Sequence, residues 1–319
     1  MLNRIYFFFA ILAGMITCAH AEVPNVVVTL KPVHSLVMSI LGDLKAPIVL
    51  YKGAGSPHVQ MPTPQELRQI DAADVVIWVG PSYETPLQGI KKSIKPNQRL
   101  VTLTEEPGII LYPVRQGGMW GHLHLHNGSL CDSTDHTCES EGDAMVDGHI
   151  WLDPQNAIRI VRVIVEVLVN LDPSHEQIYR SNAAKVINRL DDLDDELQQQ
   201  LILVQNKPYL VYHDGTQYFD RHFKTKAVGV LIGDNHYGIN AKHLLQIPDY
   251  IRDQKVKCVF TEPQFSTDML KAIFEKTGTK IETLDYLGIG LEANEDAYFI
   301  MMRNLAQAFI RGLSGENNP

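Results

Sequence analysis

Apolar and polar positions alternate with two different periods along this chain. Short apolar runs at 24–31 (PNVVVTLK), 47–51 (PIVLY), 74–79 (DVVIWV) and 99–103 read as buried strands. Between them apolar residues recur at helical spacing. Val33, Leu36, Val37, Ile40 and Leu41 share one face and predict a helix over 33–42. Further helices are expected over 64–72, with Thr63 as cap and Pro64 in the first turn, and over 85–94. The rhythm returns with strands at 208–212, 226–232, 257–261 and 280–284, and helices at 215–223, 240–254, 266–277 and 294–312. Strands alternating with helices imply an α/β fold of two lobes, each a mainly parallel sheet flanked by helices.

The segment between the two rhythms is nearly all helix former, broken at Asp172-Pro173-Ser174. A helix over about 175–204 would be roughly 45 Å long. Its apolar stripe is Leu190, Leu193, Leu197 and Leu201, and a capping box is expected from Ser174 and Gln177. It reads as a rigid strut (174–204) between an N-terminal lobe (22–173) and a C-terminal lobe (205–319). Residues 1–21 fit neither lobe. Arg4, an apolar run to about Ile16 and the small-x-small step Ala19-His20-Ala21 form an export signal with cleavage after Ala21. The run is shorter than the ~20 residues of a spanning helix. The mature chain is therefore expected to be exported, into a bacterial periplasm.

Charge and composition narrow the chemistry. A net charge of −9 argues against nucleic acid as a partner, because that binding needs a basic footprint. Thirteen His are the unusual count. Residues 117–148 hold four of them (His122, His124, His126, His136) with six acids and no Lys or Arg. Such a composition predicts a mobile insertion with loose secondary metal sites. Cys131 and Cys138 lie inside it, either as a disulfide in an oxidising compartment or as soft metal ligands beside His136. Cys258, in the run VKCVFTE, reads as a buried free thiol.

Outside the insertion, polar residues at strand ends stand out, because ligands of open α/β sheets gather there. His58 follows PIVLY in a Gly/Pro loop. His149 precedes a helix in DGHIWLDP. His213 ends YLVY, and Asp285 ends IETL. Together they supply three imidazoles and one carboxylate, two from each lobe. The ordered stretches KPVHSLVMSI, GSPHVQMPTPQEL, ADVVIWVGPSYE, the acidic His-rich insertion, GHIWLDPQNA, YLVYHDGTQYF, CVFTEPQFS and TLDYLG span almost the whole mature chain. In this order they resemble the metal-binding solute receptors of bacterial ABC importers, most closely the periplasmic zinc-uptake branch.

The resemblance implies a receptor rather than an enzyme. It would bind Zn²⁺ as cargo in a cleft between the lobes, as a monomer, and deliver it to an inner-membrane ABC permease. A periplasmic zinc chaperone is a further expected partner. The implied ligands are His58, His149, His213 and Asp285. Imidazole at the third position matches zinc receptors, whereas Glu there matches manganese and iron receptors on the same fold; a surface adhesin is the other alternative. Such a set should bind more weakly as pH falls through the imidazole range near ~6.5. Asp214 is expected to orient a neighbouring imidazole, and Glu262 to act as a hydrogen-bond acceptor beside the second sheet. His34 is a candidate for a further ligand. The chain departs from the family pattern in flanking His58 with Pro57 and Val59, so that loop lacks a carboxylate, and in having no Cys after Cys258.

Overall fold

The structure, a computed structural model, describes residues 22–120, 123–126, 129–132, 145–231, 241–265, 274 and 277–314. The predicted export signal, His122, His136 and Cys138 lie outside the described residues, and with Cys138 so does the pairing of Cys131.

The first sheet has the order β2 (Ile48–Val49), β1 (Val26–Val28), β3 (Val75–Trp78), β4 (Arg99–Thr102), all parallel. The second has the order β10 (Lys280–Thr283), β9 (Cys258–Thr261), β7 (Pro208–Val211), β8 (Lys226–Val230), again all parallel. Two four-stranded parallel sheets flanked by helices are the α/β fold expected from the alternating pattern. The helices are α1 (Lys31–Leu41), α2 (Pro64–Asp71), α3 (Ile90–Ser93), α4 (Pro154–Leu171), α5 (Glu176–Leu201), α6 (Gln217–Phe223), α7 (Ala241–Gln254) and α8 (Ala297–Leu313). Among the described residues no helix is long and apolar enough to cross a membrane.

Local chemistry sets the element ends. Thr63 caps α2, accepting from Glu66 N while the Glu66 carboxylate accepts from Thr63 N. The helix expected over 85–94 breaks into a 3₁₀ turn, Thr85–Leu87, and the short α3. Gly89, a poor helix former, falls between the two pieces. The capping box expected from Ser174 and Gln177 does not form. Instead the buried Asp172 carboxylate accepts from Ser174, His175 and Tyr179 (2.5, 2.6 and 2.8 Å) and ties the α4–α5 corner. The insertion contains regular structure: β5 (Leu123–His126) pairs antiparallel with β6 (Ser129–Asp132). Leu123–His126 alternates apolar and polar residues, the period of a strand.

One continuous cluster of buried side chains runs from the first sheet through α1, α4, α5 and α8 to the second. Helix α5, 26 residues and about 39 Å long, buries Tyr179, Ala183, Val186, Leu190, Leu193, Leu197 and Leu201 along this path. Tyr209 and Val211 of β7 face that cluster, whereas Leu210 faces a second one with Val259, Ile247 and Ile251. The strand is thus covered on both faces, as parallel strands require.

A buried ion pair network joins three helices. His222 of α6 lies 3.1 Å from Asp153 at the start of α4 and 2.6 Å from Asp194 of α5. Burial pulls the imidazole down, but its two carboxylate partners outweigh that and push it up to about 9. The folded value exceeds the usual ~6.5 of an unfolded His. Its contribution is therefore complete below about pH 6.5 and is lost as pH rises through about 9. His222→Gln should cost about 2 kcal/mol at pH 6.5. In urea unfolding, the gap between variant and wild type should shrink toward zero above pH 9.

Candidate metal centre

His58 and His213 come from the carboxyl ends of parallel strands or the loops beyond them, and His149 from the segment that leads into α4. His58 sits on the loop after β2, in a turn closed by hydrogen bonds from Val59 N and Gln60 N to Ser56 O (3.1 and 2.9 Å). Its ring packs on Tyr83, centroid to centroid 4.2 Å. Tyr83 is held by its neighbour Glu84, whose buried carboxylate accepts from Val79 N and Gly80 N at the end of β3 (2.8 and 3.0 Å). Burial pushes the Glu84 carboxyl up to about 7, against the hydrogen bonds from Thr29, Gly80 and Val79.

His149 precedes a buried 3₁₀ turn, Ile150–Leu152, that leads into α4. Gly148 just before it must be small, since a Cβ there would stand 2.5 Å from the Tyr83 Cβ. His213 follows β7. The parallel register pairs Val211 with Phe260. Two residues further along, the same register sets His213 beside Glu262 on one face.

Among the described residues, His58, His149 and His213 each offer one ligand atom, all within 4.8 Å of one another. His149 and His213 are buried. Each of these two is bound to a carboxylate through Nδ1, His149 to Asp147 at 2.8 Å and His213 to Glu262 at 2.5 Å. A carboxylate only accepts, so Nδ1 carries the proton in both rings and the lone pair resides on Nε2. The two Nε2 atoms then face each other at 3.4 Å. Neither can donate to the other. In tetrahedral coordination at the usual zinc–nitrogen length, two ligand nitrogens are separated by about 3.3 Å. The spacing matches a shared cation of that size.

The surrounding electrostatics support this arrangement. Burial pushes the Asp147 carboxyl up, but its contacts with His149, through ring and backbone N–H, and the hydrogen bond from Gln217 carry it below the usual carboxylate range. Tyr286 lies with its hydroxyl 2.9 Å from His213 Nδ1. Burial and the nearby Glu262 charge push this phenol well above its ordinary value, so it stays protonated and donates to Glu262.

Three sequence expectations are placed differently. Asp285 stands outside the imidazole cluster: its carboxylate accepts from Ile289 N, Gly290 N and Leu287 N (2.9, 3.2 and 3.3 Å). Three backbone donors hold it to its own turn. Asp214 does not orient an imidazole. Both its oxygens take Arg115 Nε (3.0 and 2.9 Å), while Arg115 Nη1 reaches Asp220 at 2.7 Å. Arg115 is more than one hundred positions from Asp220 in sequence, so no local signal announces the pair. His34 is buried in α1 with Nε2 on the Pro47 carbonyl at 3.0 Å, and burial lowers its pKa. Glu262 accepts from His213 Nδ1. Asp147, one of the six insertion acids, stands two residues before His149, and that spacing is the sequence signal of its role. Of the insertion's candidates, the backbone of His124 and His126 is described in β5.

Known proteins resemble this chain along most of its length. The family model "Zinc-uptake complex component A periplasmic" matches residues 26–312. A high-affinity zinc uptake system protein ZnuA from Brucella abortus is 32% identical, over 96% of this chain and 97% of its own length. Its Yersinia pestis counterpart is 26% identical, over 89% and 90%. A crystal structure of ZnuA superposes with a TM-score of 0.73 at 26% identity, covering 91% of this chain and 99% of that one. A zinc-bound ZnuA lacking residues 138–173 of its own chain gives 0.71 at 26%, covering 92% and 98%.

The carboxylates behind the imidazoles should matter to metal binding. Asp147→Asn and Glu262→Gln should each weaken divalent-metal affinity about 10–100-fold in calorimetric titration. Asp214→Asn, which leaves Arg115 half-paired, should instead lower Tm by several degrees, with affinity changed less than about threefold.

Proposed function

The chain belongs to the periplasmic zinc-uptake component A family, and from that premise we propose that it captures Zn²⁺ in the periplasm and delivers it to an ABC permease of the inner membrane. The observation that carries the reading is the 3.4 Å approach of two Nε2 atoms whose rings are each held by a carboxylate. His58, His149 and His213 are the proposed zinc ligands, with water in the fourth position because Asp285 is held by its own turn. Three neutral imidazoles favour zinc over manganese, which prefers carboxylate-rich sets.

Capture follows from this geometry. The N-terminal lobe (22–173) brings His58 and His149, and the C-terminal lobe (205–319) brings His213. The linking helix over 174–204 restrains the lobes to a small rocking motion. Delivery separates His213 from the other two imidazoles, which leaves a two-ligand site of much lower affinity. The receptor reading is preferred to hydrolysis because the two carboxylates behind the imidazoles are engaged, Glu262 by His213 and Tyr286 and Asp147 by His149 and Gln217, instead of facing the water position as a base.

The remaining parts fit the same role. Residues 1–21 serve as the export signal. The His-rich insertion collects zinc weakly through His122, His124, His126 and His136, with Cys131 and Cys138 closing it by a disulfide. The receptor acts as a monomer, and a periplasmic zinc chaperone is a second partner.

Competitive titration of the metal-free protein tests the central claim. One tight zinc equivalent that a hundredfold excess of manganese does not displace is expected; preference for manganese would overturn it. Alanine at His149 or His213 should weaken that site by at least about a hundredfold. Deleting residues 121–144, which spares Asp147 behind His149, should leave the tight site intact and remove weaker equivalents. An unchanged stoichiometry would sink the collecting role.

A further inference from the structure

The connection between β10 and α8 carries a compact turn, Asp285–Leu291, that the zinc-ligand reading does not use. Its amide side is held by Asp285, which accepts from three N–H groups of the turn. Its carbonyl side is held from the other lobe. Lys31, the first residue of α1, donates from Nζ to the carbonyls of Gly288, Ile289 and Leu291 at 2.6, 3.2 and 2.7 Å. An ammonium has three donors, and all three are engaged here. Lys31 is buried, and the Asp285 charge offsets part of the cost of that burial.

The turn reaches two of the imidazoles and the loop that carries the third. Tyr286, directly after Asp285, sets its hydroxyl against His213 and its ring edge-on to His149, with centroids 5.5 Å apart. Its carbonyl accepts from Trp151 Nε1 of the first lobe at 2.9 Å. Gly215 leaves room for the phenol, since a Cβ there would lie 2.6 Å from the hydroxyl. Leu287 and Ile289 meet Tyr51, Gly53, Gly55 and Pro57 of the His58 loop across a crevice of about 10 Å³, no larger than one water.

We propose that this turn is the latch of the closed cleft and that Lys31 is its positioning residue: the ammonium docks the turn across the lobes, so Tyr286 covers His149 and His213 and zinc is retained. Lys31 touches neither metal nor imidazole and acts through the turn. The inference rests on the zinc-receptor reading. It assigns Asp285 a role in building the turn and none in coordination.

Stopped-flow release of zinc to a chelator, paired with the visible spectrum of the Co²⁺-loaded full chain, tests it. Lys31→Met should raise the zinc dissociation rate about tenfold, the loss of one charged hydrogen-bonding group across a closed interface. The association rate should change less than about threefold, and the tetrahedral cobalt band should not move. Asp285→Asn should behave the same way. If Asp285 were a ligand, its cobalt band would shift, and that result overturns the proposal. Release from a folded Lys31→Met within twofold of wild type also overturns it. Should Lys31→Met not fold, Asp285→Asn and Tyr286→Phe decide the matter: each must release zinc faster with an unmoved band, and wild-type rates in both refute the latch. Absence of a cobalt band in the unmodified protein refutes the zinc reading and the latch with it, whereas a normal band with unchanged release refutes the latch alone.

Discussion

Two imidazoles, each fastened through Nδ1 to a buried carboxylate, point their Nε2 lone pairs at one another across 3.4 Å. Neutral rings with that protonation pattern repel at this distance, and a divalent cation between them removes the repulsion. The remaining structure can be understood as what holds this pair in place. Asp147 is fixed by Gln217 and by the backbone of His149. Glu262 is fixed by the parallel register that carries β9 beside β7. A third imidazole, His58, completes the set from a turn backed by Tyr83.

The centre is rigid within each lobe and dependent on closure between them. His149 and His213 come from different lobes, and their 3.4 Å approach exists only while the lobes are together. Several contacts across the seam involve buried polar groups: Trp151 to the Tyr286 carbonyl, Lys31 to three carbonyls, Arg115 to Asp214 and Asp220. A continuous apolar cluster with α5 along it joins the lobes behind the seam. Apolar packing tolerates only small rotations before contacts are lost, whereas hydrogen bonds at the seam exchange readily with water. That combination suits a small rocking motion about a fixed back and a front edge that opens.

The legibility of the sequence followed the range of the interaction. The cap of α2 was readable because Thr63 and Glu66 are three residues apart. The runs of β1, β3 and β9 were readable because every residue in them is buried and almost all are β-branched or aromatic. Ser174 resembled a cap by the same local rule, yet Asp172 took its hydroxyl, because a buried carboxylate with three donors outcompetes an exposed capping box. The pairing of β5 with β6 was obscured by the acid-rich composition around it, although the alternation in β5 was a strand signal.

By itself, the sequence determined the two-lobed α/β architecture and which imidazoles stand at strand ends, since periodicity and strand-end position are local properties of the chain. It also identified imidazole as the chemistry at the third position. The tertiary structure decided which polar side chains serve those imidazoles. Asp214 went to Arg115, Glu262 to His213, Asp147 to His149, and Asp285 to its own turn with Lys31 beyond it. A carboxylate binds whichever donors the fold brings within about 3 Å. Lys31 and Gly288 lie 257 positions apart along the chain, and only the docking of one lobe on the other brings them into contact.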